Sequence, residues 1–273
     1  MADENRAGMN LTVPLALAQQ NLRAGEPFPF TDMALGIGSY CLRMSQFFDD
    51  FTQWRGPVVT GTGGGWEVIN VGSTIGMDVS DALSGNGKVL LTSGTGASDH
   101  FQISSELPIT AMGAGVRQVF GCRVQVDDPD EMDFRFGLHT AGGNLFSLVG
   151  LTDRLLLILQ GLNAGNLAIV SVDQDSGGPS SVVIDTDIRD EMFAAISTVL
   201  WVAMVVQPDN SVQVLYSTDN GNKYKEAVVI ANTQANLPDA AADTMAIGLD
   251  IQSTLGNVVA CSVDWMAHSK MIG

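Results

Sequence analysis

The residues that could do chemistry in this chain are mostly carboxylates, and they cluster. Asp127, Asp128, Asp130 and Glu131 form one group, Asp173 and Asp175 a second, and Asp185, Asp187, Asp190 and Glu191 a third. Paired oxygens of this kind can hold calcium, yet no group has the spaced ligand loop with its glycine and closing glutamate. Aspartate also favours turns, because its side chain bonds to nearby backbone. The reading is therefore solvated turns, with no metal and no cofactor.

A β-sandwich glycosidase needs two carboxylates facing each other across a groove, often from Glu-x-Asp-x-Glu on one strand. Glu131-Met132-Asp133 is the nearest fragment, but it lacks the second glutamate, and Asp133 and Arg135 read as surface residues beside a turn. His100, His139 and His268 are the three histidines, and no serine or cysteine near them in sequence forms a nucleophile motif. A triad assembled in space stays open. Gly61-Thr62-Gly63-Gly64-Gly65 has the glycines of a phosphate loop without its lysine or helix. Trp54, Trp66, Trp201 and Trp265 could stack on sugars, although tryptophans in alternating strands more often serve a core or an interface. The expectation is a protein without catalytic residues.

The elements that would position these groups are strands. From Val116 to Thr140 two segments alternate apolar and polar residues around Asp127-Asp128-Pro129-Asp130, the pattern of half-buried strands. Phe120, Cys122, Val124 and Val126 share one face of the first, and Met132, Phe134, Phe136 and Leu138 one face of the second. The turn formers between them suggest a core hairpin. Trp66–Val71, Lys88–Ser93, His100–Ser104, Asn144–Gly150, Arg154–Gln160, Asn166–Val172 and Ser180–Thr186 continue as short strands. The apolar run Leu155–Leu159 fits a strand or a buried helical turn, and the bracketing Gly150 and Gly161 favour a strand covered on both faces. Asp190–Ile196 suggests one turn of helix. Thr198–Gln207 and Ser211–Thr218 form a second hairpin around Pro208-Asp209-Asn210, and Tyr224–Ile230, Thr244–Ile251 and Val259–Trp265 close the chain. The alternation places Phe120, Val124, Phe134, Phe136, Val214, Val263 and Trp265 in an inter-sheet core. So many strands with so little helix predict an all-β fold, an antiparallel sandwich of two sheets.

Residues 1–45 differ. Pro14, Pro27 and Pro29 interrupt them, and alternation is absent. A short helix over Leu11–Leu22 is compatible with Pro14 in its first turn. Leu15, Leu17, Phe28, Phe30, Leu35 and Ile37 are too apolar to stay wet, so the segment reads as an arm that packs on its own body or on another chain. The sandwich then occupies residues 46–273.

Bulk composition agrees. The 273 residues include 45% hydrophobic and 16% charged side chains and 30 glycines, which suits many strands and turns. Thirteen basic against 30 acidic side chains give a formal charge of -17, which repels phosphate backbones and argues against nucleic acid. Cys41, Cys122 and Cys261 are odd in number and widely spaced, as expected of free thiols in a cytosolic folding environment. The first residues lack a secretory signal's basic start and apolar run, and no stretch has the length of a membrane span. The expectation is a soluble protein without a membrane partner.

Several short motifs also carry a resemblance. Phe48-Asp49-Asp50-Phe51, Trp66-Glu67-Val68, Gly87-Lys88-Val89-Leu90-Leu91-Thr92-Ser93-Gly94, Phe134-Arg135-Phe136-Gly137-Leu138 and Val263-Asp264-Trp265 are similar to motifs of accessory structural proteins of tailed bacteriophages. The resemblance covers about Phe47 to His268. It implies a concanavalin-like jelly roll and the role of a capsid decoration, or cement, protein. Such a protein is made in the host cytoplasm and sits on the virion exterior, bound to the major capsid protein and self-associating there as a homo-oligomer. Leu15, Leu17, Phe28, Phe30, Leu35 and Ile37 would then be the partner-binding groups. Lectin-like domains share this architecture. The alternative is a glycan-binding module of a tail fibre or baseplate, in which exposed tryptophans and a calcium-linked acidic loop would recognise a host surface sugar, and a polysaccharide-acting enzyme is the third reading.

Overall fold

The computed structural model describes residues 44–49, 51, 60–72, 76–78, 88–110, 112, 117–147, 151–174, 178–193, 199–219, 221, 223–238 and 245–271. The six apolar arm residues, the Leu11–Leu22 helix, Cys41 and Trp54 lie outside the described residues.

In chain order the first eight strands are β1 (Met44–Asp49), β2 (Gly61–Gly63), β3 (Trp66–Val71), β4 (Gly76–Asp78), β5 (Val89–Thr92), β6 (His100–Ser105), β7 (Gln118–Val126) and β8 (Met132–Thr140). There follow β9 (Arg154–Leu159), β10 (Ala168–Asp173), β11 (Ser180–Ile184), the helix α1 (Thr186–Met192), β12 (Val199–Val206), β13 (Val212–Ser217), β14 (Lys225–Ile230), β15 (Met245–Ser253) and β16 (Ala260–Met271). The first sheet runs β14-β13-β12-β7-β16-β5-β4, with β1 also paired to β16, and the second runs β11-β10-β9-β8-β15-β6-β3-β2. All pairings are antiparallel.

Period-two alternation makes the core. Phe120, Cys122, Val124 and Val126 of the first sheet join Met132, Phe134, Phe136 and Leu138 of the second in one buried cluster between the sheets. Val214 and Val263 join them as expected. Cys122 and Cys261 are free thiols in the same core, and burial pushes both pKa values up. The β12–β13 hairpin forms as read, with Val206 opposite Val212. Leu155, Leu157 and Leu159 face this core while Leu156 and Ile158 pack with Leu145 and Leu151 on the other side, so β9 is covered on both faces.

Three expectations about pairing, register and helix start need correction, besides the expected strand Asn144–Gly150, whose described residues 144–147 form no strand. The central hairpin does not exist as a ladder: β7 pairs with β12 and β16, whereas β8 pairs with β15 and β9. The acidic turn instead carries the chain from one sheet to the other. Matching apolar faces suit opposition across a core as well as adjacency within a sheet, so alternation alone does not choose. Buried Arg189 of α1 holds this crossover, donating to the carbonyls of Pro129 and Gln160 at 2.8 and 2.9 Å.

Trp265 is the second correction. The β16 register against β7 shifts after Val263, so that Trp265 rather than Asp264 stands opposite Arg123. This bulge turns Trp265 to the outer face of the first sheet, where it packs with Val119, Trp201, Ala203, Val205 and Ala267. The third concerns α1, which begins four residues before the expected turn because Asp185 caps it, accepting from the Asp187 N–H at 2.9 Å.

Candidate functional site

The outward positions of the second sheet bring together the polar residues that alternation left opposite the core. Asp133, Arg135 and His139 project from β8, Asp250 and Gln252 from β15, and His100, Gln102 and Ser104 from β6. In register, Gln102, Asp250 and Arg135 form one row across three strands, and His100, Gln252 and Asp133 the next. Asp133 and Arg135 are each only 6% exposed, which corrects their reading as surface residues, and His100 and Asp250 are fully buried.

The cover is the chain after β8. Thr140 and Asp153 bond to each other through backbone and side chain, which closes the base of the connection. Gln102 then ties the returning segment down: its Nε2 donates to the Gly143 carbonyl and to Ser104 Oγ, and its Oε1 accepts from the Leu145 N–H at 2.8 Å. Phe146 lies above, half-buried, its ring 4.5 Å from the His100 ring and 5.7 Å from the Arg135 guanidinium carbon. The sequence carries too little signal to show that these residues would fold back over their own sheet.

Arg135 organises the charges. Its Nη1 donates to Asp250 Oδ1 at 2.8 Å, and its Nη2 donates to Asp133 Oδ2 at 3.2 Å and to Gln252 Oε1 at 2.8 Å. Asp133 Oδ1 also accepts from the Gly161 N–H. Burial pushes the Asp250 carboxyl up to about 7, even against the attraction of Arg135, and raises Asp133 as well. Burial, reinforced by the Arg135 charge, lowers His100 to about 4, so its imidazole is neutral at pH 7.

Asp250 therefore ties stability to pH. Its native pKa lies above its unfolded value, so its contribution is complete below the unfolded pKa and is lost as pH rises through about 7. Relative to Asp250→Asn, the native protein should lose stability between about pH 4 and 7, at up to about 1.4 kcal/mol per pH unit. Urea unfolding of both proteins at several pH values measures this, and a gap that does not change with pH would contradict it.

A second polar group lies beside the first. His139 Nδ1 donates to the Thr140 carbonyl at 2.8 Å, leaving Nε2 to accept from Ser104 Oγ at 3.1 Å. Gly248 permits this meeting, since a Cβ there would stand 2.5 Å from His139 Nε2 and 2.8 Å from Ser104 Oγ. Serine and histidine thus meet in space although nothing links them in sequence; both occupy outward positions of alternating strands. Burial holds His139 near 4.

Several of the other candidates have structural partners, and Asp175 lies outside the described residues. Glu131 accepts from Asn257 Nδ2 at 2.6 Å, Asp128 from the Asp130 N–H, and Asp173 lies 3.9 Å from Arg154. Among the described residues, no group of three or more His, Cys, Asp or Glu side chains is arranged to hold a metal. Buried His268 bonds to Gln118 at the end of the core. Trp66 is a core residue, and Trp201 meets Trp265 edge to face at 5.2 Å, with Arg123 over the Trp201 ring and paired to Asp264. All three tryptophans are buried, so the half-exposed aromatic beside the polar face is Phe146.

No family model and no curated protein matches the sequence. Solved structures do. The winged bean acidic lectin, in complex with methyl-α-D-galactose, is 10% identical with a TM-score of 0.54 over 84% of this chain and 98% of its own. The Lotus tetragonolobus seed lectin is 8% identical with a TM-score of 0.52 over 84% and 99%. A structure from work on human gut bacteria that express endo-acting O-glycanases to initiate mucin breakdown is 12% identical, with a TM-score of 0.54 over 81% and 97%. The chain therefore has the concanavalin-like jelly-roll fold of lectins and glycan-cleaving enzymes.

Proposed function

We propose that this protein is a glycan-binding module whose site is the outer face of the second sheet around Phe146. The observation that carries this reading is a half-exposed aromatic ring set directly over buried, directional polar groups. Sugars present apolar C–H faces and hydroxyl edges, and a site with one aromatic surface and a few fixed donors and acceptors suits both. The lectin-type fold supports this reading without supplying a site. We read the protein as a binder and not a hydrolase, because Asp133 and Asp250 share one guanidinium and are held by it as a structural network.

Screening the full chain on a glycan array tests the reading. Binding is expected, and Phe146→Ala should weaken it at least tenfold while changing stability by about 1 kcal/mol or less, since the ring is only half-buried. Failure to bind any glycan would overturn the reading.

A capsid decoration protein is the second reading. It rests on the motif resemblance and on the closure of the polar floor beneath residues 141–147, whose buried, mutually bonded groups can serve a structural sandwich alone. On that reading the chain sits on the virion exterior against the major capsid protein, anchored through Leu15, Leu17, Phe28, Phe30, Leu35 and Ile37. Deleting residues 1–43 should then release an otherwise folded protein from particles, and full occupancy by the truncated chain would refute the anchor.

A further inference from the structure

Four buried hydrogen-bonding atoms under Phe146 have no partner among the described residues: His100 Nδ1 and Nε2, Asp250 Oδ2 and Arg135 Nε. They belong to neighbouring strands of one face. Asp250 stands opposite Arg135 on one side, and on the other side its opposite number is Gln102, two residues from His100. His100 itself is flanked in register by Val71, which is 47% exposed, and by the half-exposed Gln252. The cluster is thus buried but adjoins a solvent-facing rim. Polar groups so deeply buried are normally satisfied, and unsatisfied ones call for an explanation.

Their chemistry is specific. A neutral imidazole offers one N–H and one lone pair, Arg135 Nε offers an N–H, and Asp250 Oδ2 accepts when its carboxyl is ionised, above about pH 7. The set holds two donors and two acceptors. A hydroxyl group both donates and accepts, so one hydroxyl can answer a donor and an acceptor of this set at once; the two imidazole nitrogens point to opposite sides of their ring, so one sugar edge meets one of them. A sulfate, phosphate or carboxylate only accepts, and would set its charge against Asp250 Oδ2 and the imidazole lone pair. Arg135 offers such an anion little, because both of its terminal nitrogens already bond to Asp133, Asp250 and Gln252.

On the proposed glycan-binding reading, we infer that His100, Asp250 and Arg135 form its specificity element, which takes a neutral hydroxyl edge of a sugar and rejects anionic sugars at that position. Phe146 covers the cluster and supplies the apolar contact.

The test uses the full chain on matched pairs of neutral glycans and their sulfated or uronic-acid counterparts, together with His100→Phe. The neutral member of each pair should bind at least tenfold more tightly. His100→Phe should lose at least tenfold in affinity without a lower unfolding midpoint, because it removes two unpaired polar atoms while filling the same space. Equal or tighter binding of the anionic members would overturn the inference and leave the glycan-binding reading standing. Unchanged affinity in His100→Phe would overturn it too, as would a lowered midpoint, which marks His100 as a structural residue. Absence of binding to every glycan would remove both.

Discussion

Arg135→Ala is expected to destabilise the protein by about 3–5 kcal/mol, because it leaves Asp133 and Asp250 buried together without their shared cation. The loss should grow as pH rises. Without the guanidinium the native pKa values of both carboxyls move further up, so ionising them costs more in the folded protein than in the unfolded one. Removing one member of a buried charge network costs more than removing the network. Arg135→Met combined with Asp133→Asn and Asp250→Asn should therefore recover most of the loss. Urea unfolding of the single and triple variants measures both effects. A single variant within about 1 kcal/mol of the native protein would show that the three groups are solvated and do not form the buried array described.

Phe136→Ala is expected to cost about 3–5 kcal/mol through lost burial and the cavity left behind. Phe136 is fully buried, lies opposite Leu249 and Leu157 on the flanking strands, and packs 6.2 Å from the Phe120 ring across the core. For a domain of this size the thermal midpoint should fall by roughly 10 °C. An unchanged midpoint would mean that the inward face of β8 has been assigned wrongly. The contrast with Phe146→Ala is informative, since one phenylalanine serves mainly stability and the other mainly binding.

The inward faces of β7, β8 and β13 were legible in the sequence because side-chain alternation is a local property. Strand pairing was not. Phe120 and Phe136 share a core whether their strands are neighbours or oppose each other, and only the crossover held by Arg189 decides. Trp265 was misplaced because one extra residue at Asp264 inverts the alternation without altering composition. The site was legible only in part: Asp133, Arg135 and His139 could be placed on one strand face. Their burial depends on Gln102 capturing the backbone at Gly143 and Leu145, a contact across about forty residues that leaves no periodic trace. The meeting of Ser104 with His139 likewise depends on Gly248, whose small size has no evident purpose until the three strands are side by side.

The most direct measurement of the glycan-binding claim is the nitrogen NMR signal of the His100 ring, followed as a neutral oligosaccharide is added to the full chain. Both nitrogens of this buried, neutral imidazole lack partners among the described residues, so a bound sugar hydroxyl should shift the signal of the nitrogen it meets and leave those of core His268 in place. Saturating oligosaccharide that leaves the His100 signals unmoved would contradict the account.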